Sequence, residues 1–394
     1  MTTSAQANSS GFAPVQEHEL LRATLRQFFA DRWPLSRVKA LDAKRTVPRK
    51  LWHELAELGV PGLPVPTKYG GEGADLITTA VAIEEVGRAW ASAASDFVLI
   101  GMTARLLVEF GSEEQRARLL PGVVRGRTWM AFGMTEPSGG TDLLGLRTTA
   151  RRDGDGWVIN GQKVYTSRAD QAQYIVVLAR TAELDPDHKA RGFTLLLTPT
   201  NQPGVTVRKL KLMGIRSGGA SEVFFDDARA PADAVIGREG RGFHQLLASI
   251  NNERITSSAM QLGVAVAAFE ESLRYSLQRT AFGRPIGQFQ ALQHYIAEMA
   301  IDIEATRLLI HKAAWLQDAG LDCSMVAAMA KVAAGETAVK TTDRGMRILA
   351  GHGLTEDSPM ERYLRDARIA PFSPVSGEMG RNYIGEQLGL PKSY

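Results

Sequence analysis

Three stretches of this chain combine residue types that can do chemistry. Phe132-Gly133-Met134-Thr135-Glu136-Pro137-Ser138-Gly139-Gly140-Thr141-Asp142 mixes small residues, which let a backbone approach a flat ligand, with hydroxyls and N–H groups that can bond a polar edge. The same composition also builds a plain turn. Ile250-Asn251-Asn252-Glu253-Arg254 offers a carboxylate on a helical stretch. In a desolvated place such a group becomes a proton acceptor near neutral pH, and next to an arginine it equally makes an ion-paired helix surface. The third stretch, Arg365 to Arg381, contains Pro374, which can neither accept a proton nor donate a backbone N–H. Gly70, Gly71 and Gly73 are too irregular for a phosphate-binding fingerprint and read as a turn.

Positioning these groups needs a sizeable fold, and 394 residues with 44% apolar content can supply two or three domains. The net charge of +3 is dispersed, which gives no support to a nucleic-acid or anionic-membrane surface and leaves a small anionic ligand open. A lone Cys323 excludes a disulfide framework within the chain. Met1 to Ser10 lacks the apolar core of a secretory signal, and no apolar run reads as long enough to span a bilayer. A cytoplasmic enzyme is the simplest expectation.

Leu20, Leu21, Leu25, Phe28 and Phe29 recur at helical spacing, and Ser112-Glu113-Glu114-Gln115 is a capping box that should open another helix. Short β-branched and aromatic runs follow, at 157–165, 174–178, 193–198 and 221–225, separated by Asp-Gly and Pro-Gly turns. Long helical patterns then cover roughly 243–278, 291–319 and 324–349. The expected fold is α+β and mainly α: a disordered tail at 1–13, an N-terminal helical domain at 14–127, an antiparallel β domain at 128–235 and a C-terminal four-helix bundle at 236–394.

That order and the motifs above resemble the acyl-CoA dehydrogenase family over nearly the whole chain. The resemblance implies FAD as cofactor. It places Phe132, Met134, Thr135, Gly140 and Thr141 in the flavin loop, with Thr141 also toward substrate. Asn160 to Ser167 is similar to the family's strand beside the flavin, with Tyr165 where a Trp is usual, followed by Thr166 and Ser167. In Arg279-Thr280-Ala281-Phe282-Gly283-Arg284-Pro285-Ile286 and Phe289-Gln290, the resemblance puts Arg279 on the FAD diphosphate, often that of a neighbouring subunit, with Ala281, Phe282, Phe289 and Gln290 nearby. A guanidinium suits a diphosphate through its fork geometry. On the adenine side Arg347 and Ala350 replace the family's Gln and first Gly while Gly351 keeps the second, Ser376 falls on the cofactor side, and His352 reads as a loop residue.

In the commonest subtype of the family a tail glutamate is both the base and, through its N–H, a donor to the thioester oxygen; here that position is Pro374. A second subtype, resembling isovaleryl-CoA and long-chain dehydrogenases, carries its glutamate where Glu253 stands. Glu378 is read as structural. Asn251, Arg254 and Ser373 are the remaining substrate-side candidates, and Ser373 is small where relatives often have Tyr, which would widen the pocket toward branched groups.

The expected activity is FAD-dependent dehydrogenation of an acyl-CoA or acyl-carrier-protein thioester, with Glu253 as base, an electron-transfer flavoprotein as acceptor and a homotetramer, built as two dimers, as the assembly. No metal is expected. A non-catalytic flavin subunit of a hetero-oligomer, or a flavin monooxygenase or oxidase on the same fold, stands as the alternative.

Overall fold

The structure, a computed structural model, describes Gly11, Asp185 and residues 15–183 and 187–392; the expected tail at 1–13 lies almost wholly outside them. Six helices come first: α1 (Gln16–Arg32), α2 (Leu35–Ala43), α3 (Arg49–Glu57), α4 (Leu76–Ala89), α5 (Ala91–Phe110) and α6 (Glu113–Val124). Pro34 and Pro48 stand at the N-caps of α2 and α3, where a missing N–H costs nothing. The capping box at α6 forms as its residue types dictate. Ser112 Oγ accepts from the Gln115 N–H at 3.2 Å, and the Gln115 side chain accepts from the Ser112 N–H at 3.0 Å.

One expectation needs correction here. α5 is long and apolar enough, by length and composition, to cross a bilayer. It is instead a core helix, mostly buried against its neighbours, because a fold of this size has an interior that can take most of a largely apolar helix.

Eight strands form the middle sheet: β1 (Met130–Gly133), β2 (Thr149–Asp153), β3 (Gly156–Ser167), β4 (Tyr174–Arg180), β5 (Phe193–Pro199), β6 (Val205–Lys209), β7 (Ala220–Ala230) and β8 (Val235–Ile236). Their order is β6-β7-β3-β2-β4-β5-β8, with β1 beside β4. The sheet is mostly antiparallel, but β1 runs parallel to β4, and β2 touches β4 in a parallel sense. That departs from a purely antiparallel domain because the chain enters from α6 and must cross to β4 before the hairpins begin. The central strand β4 is buried from Ile175 to Ala179, which explains why it reads as a continuous apolar run.

The last part holds α7 (Gly242–Gln278), a small hairpin of β9 (Thr280–Ala281) and β10 (Arg284–Pro285), then α8 (Gln290–Asp318), α9 (Ser324–Leu349), α10 (Met360–Ala367) and α11 (Gly377–Gln387). Three long helices thus pack together, and the short α10 and α11 lie against α9. Small residues dock this bundle on the first helices: a Cβ on Gly87 of α4 would come within 2.7 Å of the Met260 carbonyl of α7.

α5 runs antiparallel to α7. Its first residue, Ala91, shares a core cluster with Val264 and Ala267. Just past its other end, Gln115 donates to the Val235 carbonyl, and Gln245 near the start of α7 donates to the adjacent Ile236 carbonyl, each at 3.1 Å.

Candidate active site

Glu253 lies in the first third of α7 and is half-buried. Among the described residues its carboxylate has no hydrogen-bond or ion-pair partner. Although the residue keeps partial access to solvent, the protein around its carboxyl desolvates it and pushes its pKa up to about 7, with Arg254 pulling the other way. The ion-paired helix surface that the Glu-Arg sequence allowed does not form. Arg254 is buried and turns to its own helix and to α11: Nη1 donates to Asn251 Oδ1 at 3.1 Å, and the guanidinium lies 5.2 Å from the Tyr383 ring centre. Asn251 in turn donates to Ser324 Oγ at the start of α9, at 2.9 Å.

The segment with Pro374 closes in on the same region. Lys331 of α9 is buried and its Nζ donates to the Ala370 and Pro371 carbonyls at 3.1 and 3.2 Å. Burial lowers its pKa to about 8, with the Glu378 carboxylate opposing the shift and Arg254 adding to it. Ser373 and Pro374 are half-buried, while Glu378 is exposed in the first turn of α11. The Ser376 hydroxyl caps α11, accepting from the Met379 N–H at 3.2 Å. The N–H groups of Val375 and Ser376 donate to no acceptor among the described residues. At the start of this segment, Asp366 accepts from the Ile215 N–H at 2.7 Å, which ties α10 to the β6–β7 connection.

The loop after β1 is held by a buried ion pair that the motif did not reveal. Lys163 Nζ lies 2.9 Å from Glu136 Oε1 and 3.0 Å from the Met134 carbonyl. Glu136 also accepts from the Arg147 and Thr148 N–H groups at 2.7 and 2.9 Å. Burial alone would raise the Glu136 pKa, but Lys163 and these donors hold it below the usual carboxylate range. Burial lowers Lys163 to about 8. The Val164 N–H donates to the Thr135 carbonyl at 2.9 Å, so this loop and the end of β3 are adjacent.

Phe132 is buried, Met134 and Thr135 half-buried, and Gly140 and Thr141 exposed. Tyr165 has φ of 56° and a ring 64% exposed; Thr166 is buried with its hydroxyl unpartnered, and Ser167 is half-buried. Arg168, next along, is fully buried with Nε 3.1 Å from Asp96 on α5, which fastens this strand end to the helix.

The other expected cofactor residues lie elsewhere. Arg279 ends α7, some 26 residues beyond Glu253, or about 39 Å at 1.5 Å per residue. Phe282 and Gly283 form the turn of the β9–β10 hairpin, both with positive φ, and Phe282 is 94% exposed with its ring edge-on to Phe289 at 6.0 Å. A cavity of about 750 Å³ brings Arg279 together with Ala350, Gly351, Tyr275 and His352, whose ring stacks on Tyr275 at 5.4 Å. Ala281 is half-buried and Gln290 exposed. Arg347 is exposed and engaged by Asp343 at 2.9 Å. Within one chain, therefore, Glu253 and Arg279 are not brought to one site.

Comparison with known proteins agrees with this architecture throughout. Family models for the acyl-CoA dehydrogenase N-terminal, middle and C-terminal domains match residues 15–127, 131–228 and 240–389. A probable acyl-CoA dehydrogenase, YngJ of Bacillus subtilis, is 34% identical over 96% of this chain and 99% of its own. Among solved structures, a glutaryl-CoA dehydrogenase from Mycobacterium smegmatis in complex with FADH2 superposes with a TM-score of 0.90 at 26% identity, over 98% of each chain. The prolyl acyl carrier protein oxidase AnaB superposes with a TM-score of 0.89 at 29% identity, over 96% of this chain and all of that one. The fold and the matched families define a flavoprotein oxidoreductase of the type that acts on CH–CH groups. The chain belongs to the acyl-CoA dehydrogenase family.

Proposed function

We propose that this protein oxidises an acyl thioester to its α,β-unsaturated form, with Glu253 removing the α-proton. The carrying observation is the Glu253 carboxyl itself: half-buried on α7, without a protein partner among the described residues, and raised by desolvation to about 7, the range in which a carboxylate accepts a proton best at neutral pH. As the α C–H bond breaks, the proton passes to the Glu253 carboxylate, and the electron pair left behind forms the new double bond as hydride leaves the β-carbon. FAD, when bound, supplies the acceptor for that hydride.

The residues at hand fit FAD. The buried Thr166 hydroxyl lacks a protein partner, the Tyr165 ring lies open beside the loop at 134–142, and the cavity at Arg279 offers a guanidinium for a diphosphate. Because Arg279 is so far from Glu253 along α7, the reading assigns the two to different subunits of a homotetramer. Asn251, Arg254 and Ser373 are assigned to the substrate side. With Pro374 unable to donate, the Val375 N–H, free of protein acceptors, is the nearest backbone donor for the thioester oxygen.

An electron-transfer flavoprotein is the proposed acceptor. Likeness to AnaB favours a second reading, in which the thioester sits on a carrier protein and oxygen takes the electrons. The deciding experiment mixes purified FAD-loaded protein anaerobically with CoA and carrier-protein thioesters. Bleaching of the flavin band is expected. No bleaching by any thioester, together with copurification of a second family member, would instead make the chain a non-catalytic flavin subunit. Oxygen consumption separates oxidase from dehydrogenase.

A further inference from the structure

α5 carries a glycine that no contact requires. Gly101 sits in mid-helix and is buried, yet a Cβ built on it would meet no atom within 4 Å. Every other glycine inside an α-helix of the described residues has a neighbour in that space. A Cβ on Gly335 would come to 3.0 Å from the Ala370 carbonyl, and one on Gly263 would collide with the Glu84 carbonyl. Those glycines let backbones touch. Gly101 leaves a void instead, at a place where glycine weakens a helix relative to alanine.

The void lies near the level of the proposed base. Because α5 and α7 are antiparallel and anchored at both ends, residues can be paired by level. Ala91 of α5 and Val264 of α7 belong to one core cluster; Gly101 is ten residues after Ala91 and Arg254 ten before Val264, so along the helices Gly101 falls within about a turn of the level of Glu253. Val98 and Arg105, three before and four after on the same face, are only half-buried, so protein does not seal that face. Arg105 acts electrostatically on Asp318 at the end of α8, near the α8–α9 corner where Ser324 holds Asn251. The open face thus lies on the side of the α8–α9 corner, to which the turn with Asn251 and Glu253 is also tied.

We propose that Gly101 sets the width of the acyl chamber at the reacting carbons, making room for thioesters with a branch or ring in the first few carbons of the acyl group. This rests on the dehydrogenase reading above. The half-buried Ser373, in the segment fixed by Lys331, is a second small residue assigned to the substrate side.

The test compares wild-type holoenzyme with Gly101→Ala and Gly101→Leu in anaerobic flavin reduction by butyryl-CoA, isobutyryl-CoA and cyclohexanecarbonyl-CoA. Gly101→Leu is expected to lower kcat/KM for the branched and cyclic thioesters at least about tenfold while changing the straight one less than about threefold. Gly101→Ala should keep its FAD, raise Tm because its methyl meets nothing, and shift preference the same way to a smaller degree; it decides the matter if the leucine variant fails to fold. Equal losses on all thioesters, an unchanged preference in both variants, or a lowered Tm in Gly101→Ala would overturn the inference while leaving the dehydrogenase reading intact. A wild-type flavin that no thioester reduces would overturn both.

Discussion

Lys163 Nζ lies 2.9 Å from Glu136 Oε1, and neither side chain reaches solvent. This pair connects strand β3 to the loop at 134–142, since Lys163 also holds the Met134 carbonyl and Glu136 holds the N–H groups of Arg147 and Thr148. Removing one charge strands the other in a low-dielectric interior. Lys163→Met is therefore expected to cost about 3 kcal/mol or more and to lower FAD retention, read by Tm and by the flavin-to-protein absorbance ratio. The double variant Lys163→Met/Glu136→Gln should lose less than the single one, because no uncompensated charge remains.

Arg279 and Glu253 sit far apart on one helix, so a flavin site that uses both must draw them from two chains. Arg279→Ala and Glu253→Gln proteins are each expected to be nearly inactive. Subunit exchange between them, by co-expression, should restore activity, since one site of each mixed pair then contains both wild-type groups. Absence of recovery in verified mixed oligomers would place the two residues in unrelated roles.

Enclosing Glu253 should cost stability as well as enable chemistry. Its folded-state pKa of about 7 lies above the ordinary 4.5, so the native state disfavours the ionised form. Stability is fully present below the ordinary pKa and falls as pH rises toward 7. Glu253→Gln, which cannot ionise, is expected to match wild type near pH 4 and to be more stable above pH 7, by up to about 3 kcal/mol. Denaturant titrations at both pH values check this. No gain at pH 8 would mean that the carboxylate is solvated.

Much of the fold was legible because helical spacing at Leu20 to Phe29, the capping box at Ser112 and the apolar runs of β4 and β5 are local properties. The flavin loop and Glu253 were legible only through the resemblance. The fastening groups were not, since Lys163 with Glu136, Arg168 with Asp96, and Lys331 with the Ala370 carbonyl are pairings across many residues that no spacing announces. The expectation that no apolar run is long enough to span a bilayer failed for a related reason. Composition of the run at 91–110 does not say whether lipid or protein will cover it. Gly101 reads in sequence as one helix-weakening residue, and only the empty space beside it gives it meaning.

The central claim is that Glu253 is the base, and it is tested most directly by anaerobic stopped-flow reduction of FAD-loaded wild type and Glu253→Gln by a reactive thioester, followed from pH 5.5 to 8.5. For wild type, the rate should rise with pH through about 7 and then level, as Glu253 loses its proton. Glu253→Gln should retain its FAD, bind the thioester, and reduce the flavin at least about a hundredfold more slowly with no such step in pH. Unchanged reduction in the variant, with the same pH profile, would contradict the assignment and return the base to another residue.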